Sequence, residues 1–257
     1  MGCSGLQEDE GDQGVRLTAY FEDQNTEVAV CLACESLLSA LGVSSGVHPE
    51  SVPDEDWSAS WRGVFKPVHA TPRINICPAW APLPGPKDGF TILIDPKMAF
   101  GTGHHETTRL ALRGLEMCVS RGNRVLDLGT GSGILSIAAM KLGARSVSAF
   151  DTDPPAVENT EENLALNGII EGVKVKEGSL SDVAGVFDVV VANIISSILV
   201  PLLPGLADHT AKGGRVVFGG VLDRERIPFC EAILDAGLAI DTILEEGEWV
   251  CAVGRKE

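Results

Sequence analysis

The stretch VLDLGTGSG spans Val125–Gly133 and joins two different periodicities. An apolar run enters it, Asp127 and the alternating glycines Gly129, Gly131 and Gly133 follow, and an apolar helical pattern begins at Ile134. That is the signature of a buried strand, a tight loop clear of side chains and a helix N-terminus, where backbone N–H groups lie open to a closely fitting ligand. Nucleotide-binding folds share such a loop, so alone it is weak evidence. The spacing is GxGxG, and Ile134 stands where the dinucleotide fingerprint would place its last glycine.

Working outward, strands and helices alternate from Arg124 to the end. The predicted strands are Arg124–Leu128, Ser146–Asp151, Val173–Glu177, Phe187–Ala192, Gly214–Gly219, Leu238–Glu245 and Glu248–Gly254. The predicted helices are Ser132–Leu142, Pro154–Asn167, Ser196–Thr210 and Asp223–Ala236. Continuously apolar strands such as Val189–Ala192 indicate a sheet covered on both faces. The rhythm predicts a doubly wound α/β sheet, and the two last strands, joined at Glu246-Gly247, predict a terminal antiparallel hairpin. Upstream, residues 1–14 are acidic and glycine-containing and read as a disordered tail. Residues 15–53 offer a strand over Val15–Phe21, a helix over Thr26–Leu41 and a short strand over Val43–Val52, too little to bury a core alone. Residues 54–89 read as a helix with Trp57, Trp61 and Phe65 on one face, followed by a proline-rich linker holding a short strand at Arg73–Cys77. A further short strand is expected at Thr91–Asp95.

The chain has 257 residues, seven cysteines and a formal net charge of −16. That charge disfavours binding to a phosphate backbone and suits the steering of a basic partner. The odd cysteine number and irregular spacing point to reduced thiols, and Cys31-x-x-Cys34 sits within a helical pattern with no second pair at zinc spacing. The opening MGCSGLQEDE has neither a basic start nor an apolar core, and no apolar run is long enough to span a bilayer, so no membrane association and a cytoplasmic location are expected.

Four stretches should meet beyond the carboxyl ends of the strands, where open α/β sheets bind ligands. The first is the loop Gly129–Gly133, preceded by Asp127. The second is Asp151, a strand-end carboxylate able to accept hydrogen bonds from two ribose hydroxyls, or alternatively to cap the next helix. Asp153, followed by Pro154, reads as that helix's cap. The third is Asn193, whose amide offers a donor and an acceptor at the end of the most apolar strand, or caps a loop. The fourth is FGTGHHETT, Phe100–Thr108, a glycine-containing loop expected to close over the site, with His105 either orienting a substrate or packing the loop. His104, His105 and Glu106 lack the spacing of a metal site, and no metal is expected. Together these features suggest S-adenosylmethionine as the cofactor.

FGTGHHETTRLAL, VLDLGTGSGILSIAAMKLGA, FDTDPPAVENTEENLALNG, DVVVANI and the terminal EEGEWVCAVGRK, in this order, resemble the bacterial ribosomal protein L11 methyltransferase family (PrmA). The upstream PDEDWSASWRGVFKPV is similar to that family's linker, and the resemblance covers about residues 53–257. It implies a seven-stranded, Rossmann-like methyltransferase domain over residues 90–257 behind a small N-terminal α/β recognition domain, shortened here. It also implies cofactor contacts at Thr108, Gly129, Asp151 and Asn193, and N-methylation of lysine and α-amino groups of a basic ribosomal protein. The alternatives are a same-fold enzyme acting on another protein lysine or a small amine, a non-catalytic cofactor-binding assembly factor, and an NAD-dependent oxidoreductase. GxGxG and the Phe100–Thr108 segment disfavour the last. Asn193 and the Phe100–Gly103 loop are the expected catalytic elements, with His105 as a candidate orienter and no general base evident.

Overall fold

The computed structural model describes residues 5–11, 14–20, 27–40, 42, 47, 65–95 and 103–257. The chain divides into two compact units, Met1–Trp57 and Ser58–Glu257. In the first, strand β1 (Gly5–Gly11) pairs antiparallel with β2 (Gly14–Tyr20), Gly5 opposite Tyr20 and Gly11 opposite Gly14, and helix α1 (Glu27–Ala40) follows. The segment expected as a disordered tail therefore carries a strand. Composition weighs charge and glycine against burial, whereas a two-stranded ladder needs only backbone donors and acceptors. The predicted strand Val43–Val52 and the helix carrying Trp57 and Trp61 fall outside the described residues.

The second unit opens with a small sheet where the sequence suggested a linker. Strand β3 (Val68–His69) pairs antiparallel with β4 (Ile74–Pro78), and β4 pairs parallel with β5 (Phe90–Ile94). Ile74, Ile76, Ile92 and Ile94 are completely buried, in one core with the helices that follow. The prolines punctuate this sheet; the alternating isoleucines make it part of the compact unit. Phe65, last member of the aromatic stripe, is buried with ring centroids 6.3 Å from Trp80 and 4.4 Å from His104.

Beyond lie α2 (Glu106–Cys118), β6 (Arg124–Leu128), α3 (Ile134–Lys141), β7 (Ser146–Asp151), α4 (Pro154–Leu166), β8 (Val173–Glu177), β9 (Phe187–Asn193), α5 (Ser196–His209), β10 (Thr210–Leu222), α6 (Arg226–Asp235), β11 (Leu238–Glu246) and β12 (Trp249–Lys256). The strands form one seven-stranded sheet in the order β11-β12-β10-β9-β6-β7-β8. All neighbours are parallel except β12, which runs antiparallel to both β10 and β11. The seven strands, the doubly wound class and the terminal hairpin agree with the sequence reading. In β9, Val189 and Val191 enter the core under α2 and α3, whereas Val190 and Ala192 enter the core under α5 and α6. A period of two in a continuous apolar strand thus fills both layers.

Helix α4 carries Asn159 and Asn163 and is capped by Asn167, the three spaced to share one face. The Asn167 amide accepts from Leu93 N–H at 3.0 Å and donates to Leu93 O at 2.7 Å. Asn163 Oδ1 accepts from Asp95 N–H at 2.8 Å, and Asn159 Nδ2 donates to Asp95 O at 3.2 Å. Asn163 Nδ2 also donates to Ser132 O at 2.9 Å, linking β5, α4 and the glycine loop. No described helix is long and apolar enough to cross a membrane.

Candidate active site

Parallel pairing brings the strand ends into line. Leu128 lies opposite Phe150 on β7 and Ala192 on β9, and Asn193 lies opposite Gly219 on β10. Asp151, Gly129 and Asn193 therefore follow one another along the carboxyl edge of the sheet. The glycine loop turns here with φ of 74° at Gly129, 57° at Gly131 and 79° at Gly133, the left-handed region that glycine enters without strain. A Cβ on Gly129 would collide with Ile194 Cγ2, and one on Gly133 would stand 2.9 Å from Thr160 Cγ2. The Gly129→Ala variant should therefore lose about 1–3 kcal/mol of stability and bind cofactor more weakly, read by thermal unfolding and titration calorimetry.

The loop is held from beneath. Gly129 N–H and Thr130 N–H donate to Phe150 O at 2.8 and 3.1 Å. Asp151 Oδ2 accepts from Gly131 N–H at 2.9 Å and Oδ1 from Asp153 N–H at 3.1 Å. Asp151 thus braces the loop and begins the following turn, and its carboxylate retains acceptor capacity beyond those two bonds. Asp153 occupies the N-cap position before Pro154 as expected, but its side chain makes no capping bond.

Asp127 is fully buried, its Oδ2 accepting from Ser136 Oγ at 2.6 Å and Thr130 Oγ1 at 2.9 Å. It was expected to bind cofactor; one carboxylate oxygen tightens the loop onto α3, and the other, Oδ1, is buried without a hydrogen-bond partner among the described residues. Burial, aided by the neighbouring Asp151 charge and opposed by the two hydroxyls, pushes its pKa from 3.8 up to about 6. An acid with a higher pKa in the fold takes its proton there first, so this group's contribution to stability grows as pH falls through 6 towards 4. Asp127→Asn keeps the shape and an acceptor but removes the titration. Wild-type stability relative to this variant is expected to rise by about 2 kcal/mol between pH 7 and pH 4, as followed by urea unfolding.

Asn193 ends β9 half-buried, and its Oδ1 is enclosed with no hydrogen-bond partner among the described residues. Buried amide oxygens are seldom left so, and each invites an absent donor. Thr108, fully buried in the first turn of α2, likewise has an Oγ1 without a partner among the described residues. His105 is the N-cap of α2: its Nδ1 accepts from Thr107 N–H at 3.3 Å and lies 2.9 Å from Thr107 Oγ1. Gly103 abuts Ile76 of β4 so closely that a Cβ would overlap the Ile76 side chain. Phe100 lies outside the described residues. Among the described residues no three His, Cys, Asp or Glu side chains cluster as metal ligands. A cleft lined by Asn123, Asp188, Lys212 and Arg215 lies at the opposite, amino-terminal edge of the strands, away from the glycine loop.

The left-handed glycine cradle, the strand-end carboxylate and amide and the antiparallel last strand define a Rossmann-like methyltransferase. The model of the ribosomal protein L11 methyltransferase family (PrmA) matches residues 4–257, and the chain belongs to that family. The match reaches well upstream of residue 53, where the resemblance was expected to begin. The ribosomal protein L11 methyltransferase of Pelobacter propionicus is 44% identical over 258 residues, covering 93% of this chain and 81% of the relative. That of Geobacter sulfurreducens is 42% identical over 246 residues, with the same two coverages of 93% and 81%. A crystal structure of the ribosomal protein L11 methylase from Lactobacillus delbrueckii subsp. bulgaricus is similar with a TM-score of 0.70 and 38% identity, covering 75% of this chain and 100% of that one.

Proposed function

We propose that this chain uses S-adenosylmethionine to methylate amino groups, lysine side chains or the α-amine, of ribosomal protein L11. The observation that carries the reading is the enclosed, unpartnered Asn193 Oδ1 on the strand next to the glycine cradle, in a chain of this family. S-adenosylmethionine supplies an activated methyl group. The residues present suit it: the cradle excludes side chains, Asp151 offers acceptors for ribose hydroxyls, and the Thr108 hydroxyl awaits a polar partner.

The chain's own task is to present a neutral amine. With a lysine pKa of ~10.4, only about 1 in 2,500 side chains is neutral at pH 7, whereas an α-amine at ~8 starts much closer. Asn193 Oδ1 accepts a hydrogen bond from the amine without adding charge, so it orients the lone pair while favouring the ammonium form far less than a carboxylate would. Ile194 packs against Gly129, and Ile195 and Ile198, 58% and 53% exposed, continue an apolar rim at the start of α5. Desolvation against such a rim lowers an amine's pKa. The acidic chain, at −16, steers a basic ribosomal protein. The reading places the enzyme in the cytoplasm, with that protein.

The test is incubation with methyl-labelled S-adenosylmethionine and a ribosomal protein extract, then with purified L11. Label on L11 amines is expected. Label on another protein alone would replace the substrate assignment, and cofactor binding without transfer would leave a non-catalytic binding protein.

A further inference from the structure

Arg109 follows Thr108 in the first turn of α2 and anchors it. The Arg109 side chain is only 17% exposed. Its Nε donates to Glu246 Oε1 at 2.8 Å, and a terminal nitrogen stands 2.6 Å from the same oxygen. That terminal nitrogen is 3.3 Å from Glu106 Oε1, and the other donates to His104 O. One guanidinium therefore ties the segment entering α2, the first turn of α2 and the tip of the β11–β12 hairpin. A further contact repeats the link: the His105 ring meets the Trp249 ring edge-on at 4.9 Å, while Gly247 lies beside Glu106, whose Cγ a Cβ there would reach at 3.8 Å. Glu246 and Trp249 face each other across the turn.

The hairpin tip sits at the carboxyl edge of the sheet, because Trp249 lies opposite Leu222, three residues beyond Gly219, the partner of Asn193. The tip thus grips the His104–Thr108 segment at the edge that carries the candidate site. We propose that Arg109, locked by Glu246, is a positioning residue for cofactor binding: the C-terminal hairpin clasps the start of α2 and presets Thr108 for the cofactor. This rests on the reading of Thr108 given above. The clasp joins residues 137 apart in sequence, so the far end of the chain completes the cofactor site. Arg109 touches no reacting group; it acts through its neighbour.

The experiment is a double-mutant cycle on S-adenosylmethionine affinity in the full chain, with Arg109→Gln, Glu246→Gln and both together, alongside turnover at saturating cofactor and thermal unfolding. Loss of a charge-assisted bond at the clasp is expected to raise Kd about tenfold in each single variant, with the double variant no worse than Arg109→Gln alone and turnover at saturation within about twofold. Because both substitutions keep polar side chains at part-exposed positions, folding is expected to survive. Unchanged Kd in the single variants, whatever happens to the melting temperature, overturns the proposal, as does additive weakening in the double. Thr108→Val separates the two layers: if it leaves Kd unchanged while Glu246→Gln raises it, the clasp stands and the Thr108 contact falls.

Discussion

Replacing Asn193 with alanine is expected to lower turnover about 100- to 1,000-fold while cofactor affinity changes by less than about threefold, a split measured by steady-state kinetics on L11 and by calorimetry. The amide oxygen is buried without a partner among the described residues, so its cost is already built into the fold and is relieved only when a donor arrives. A group satisfied chiefly by the reacting amine contributes to the step itself. Asn193→Asp sharpens the case: a carboxylate there stabilises the ammonium form, so activity should fall at neutral pH and recover as pH rises. Equal losses in turnover and cofactor affinity for the alanine variant would reduce Asn193 to a cofactor ligand.

The second large effect is expected at Asp151. Asp151→Ala should weaken S-adenosylmethionine binding by about one to two orders of magnitude, since it removes charge-assisted bonds of roughly 1.5–3 kcal/mol each. It also releases Gly131 N–H and Asp153 N–H, bonds that hold the cradle in its turn. Asp151→Asn keeps one oxygen acceptor and the side-chain volume, and should retain more affinity than alanine. Calorimetric affinity unchanged in the alanine variant would remove the ribose role.

How much of this was legible in the sequence follows from how far apart the interacting residues lie. The seven strands were readable because most are apolar runs ended by glycine or a polar residue, with Val173–Glu177 showing an alternating pattern instead, and the hairpin because its turn is only a few residues long. Strands β4 and β5 were readable as short strands at Arg73–Cys77 and Thr91–Asp95, but the prolines around them obscured β3 and the pairing of all three into a sheet. Asp151 and Asn193 stood out as polar residues ending apolar strands, and the structure sets them in line beside the loop. Asp127 drew notice as a conspicuous carboxylate beside a glycine loop; the Thr130 and Ser136 hydroxyls, three and nine residues on, were the signal that it also braces the loop. The Arg109–Glu246 pair had no local signal, since no periodicity connects residues so distant.

The asparagine face of α4 has a consequence beyond the site. Strand β5 is the outer member of its sheet, with β4 on one side. A strand in that position normally leaves main-chain donors and acceptors ready to recruit a strand from another molecule. At Leu93 and Asp95 those groups are already taken by carboxamides from Asn159, Asn163 and Asn167, which imitate a neighbouring peptide. The helix closes the strand's open side with side chains, and the fold needs no extra strand, charge or proline there to discourage self-association.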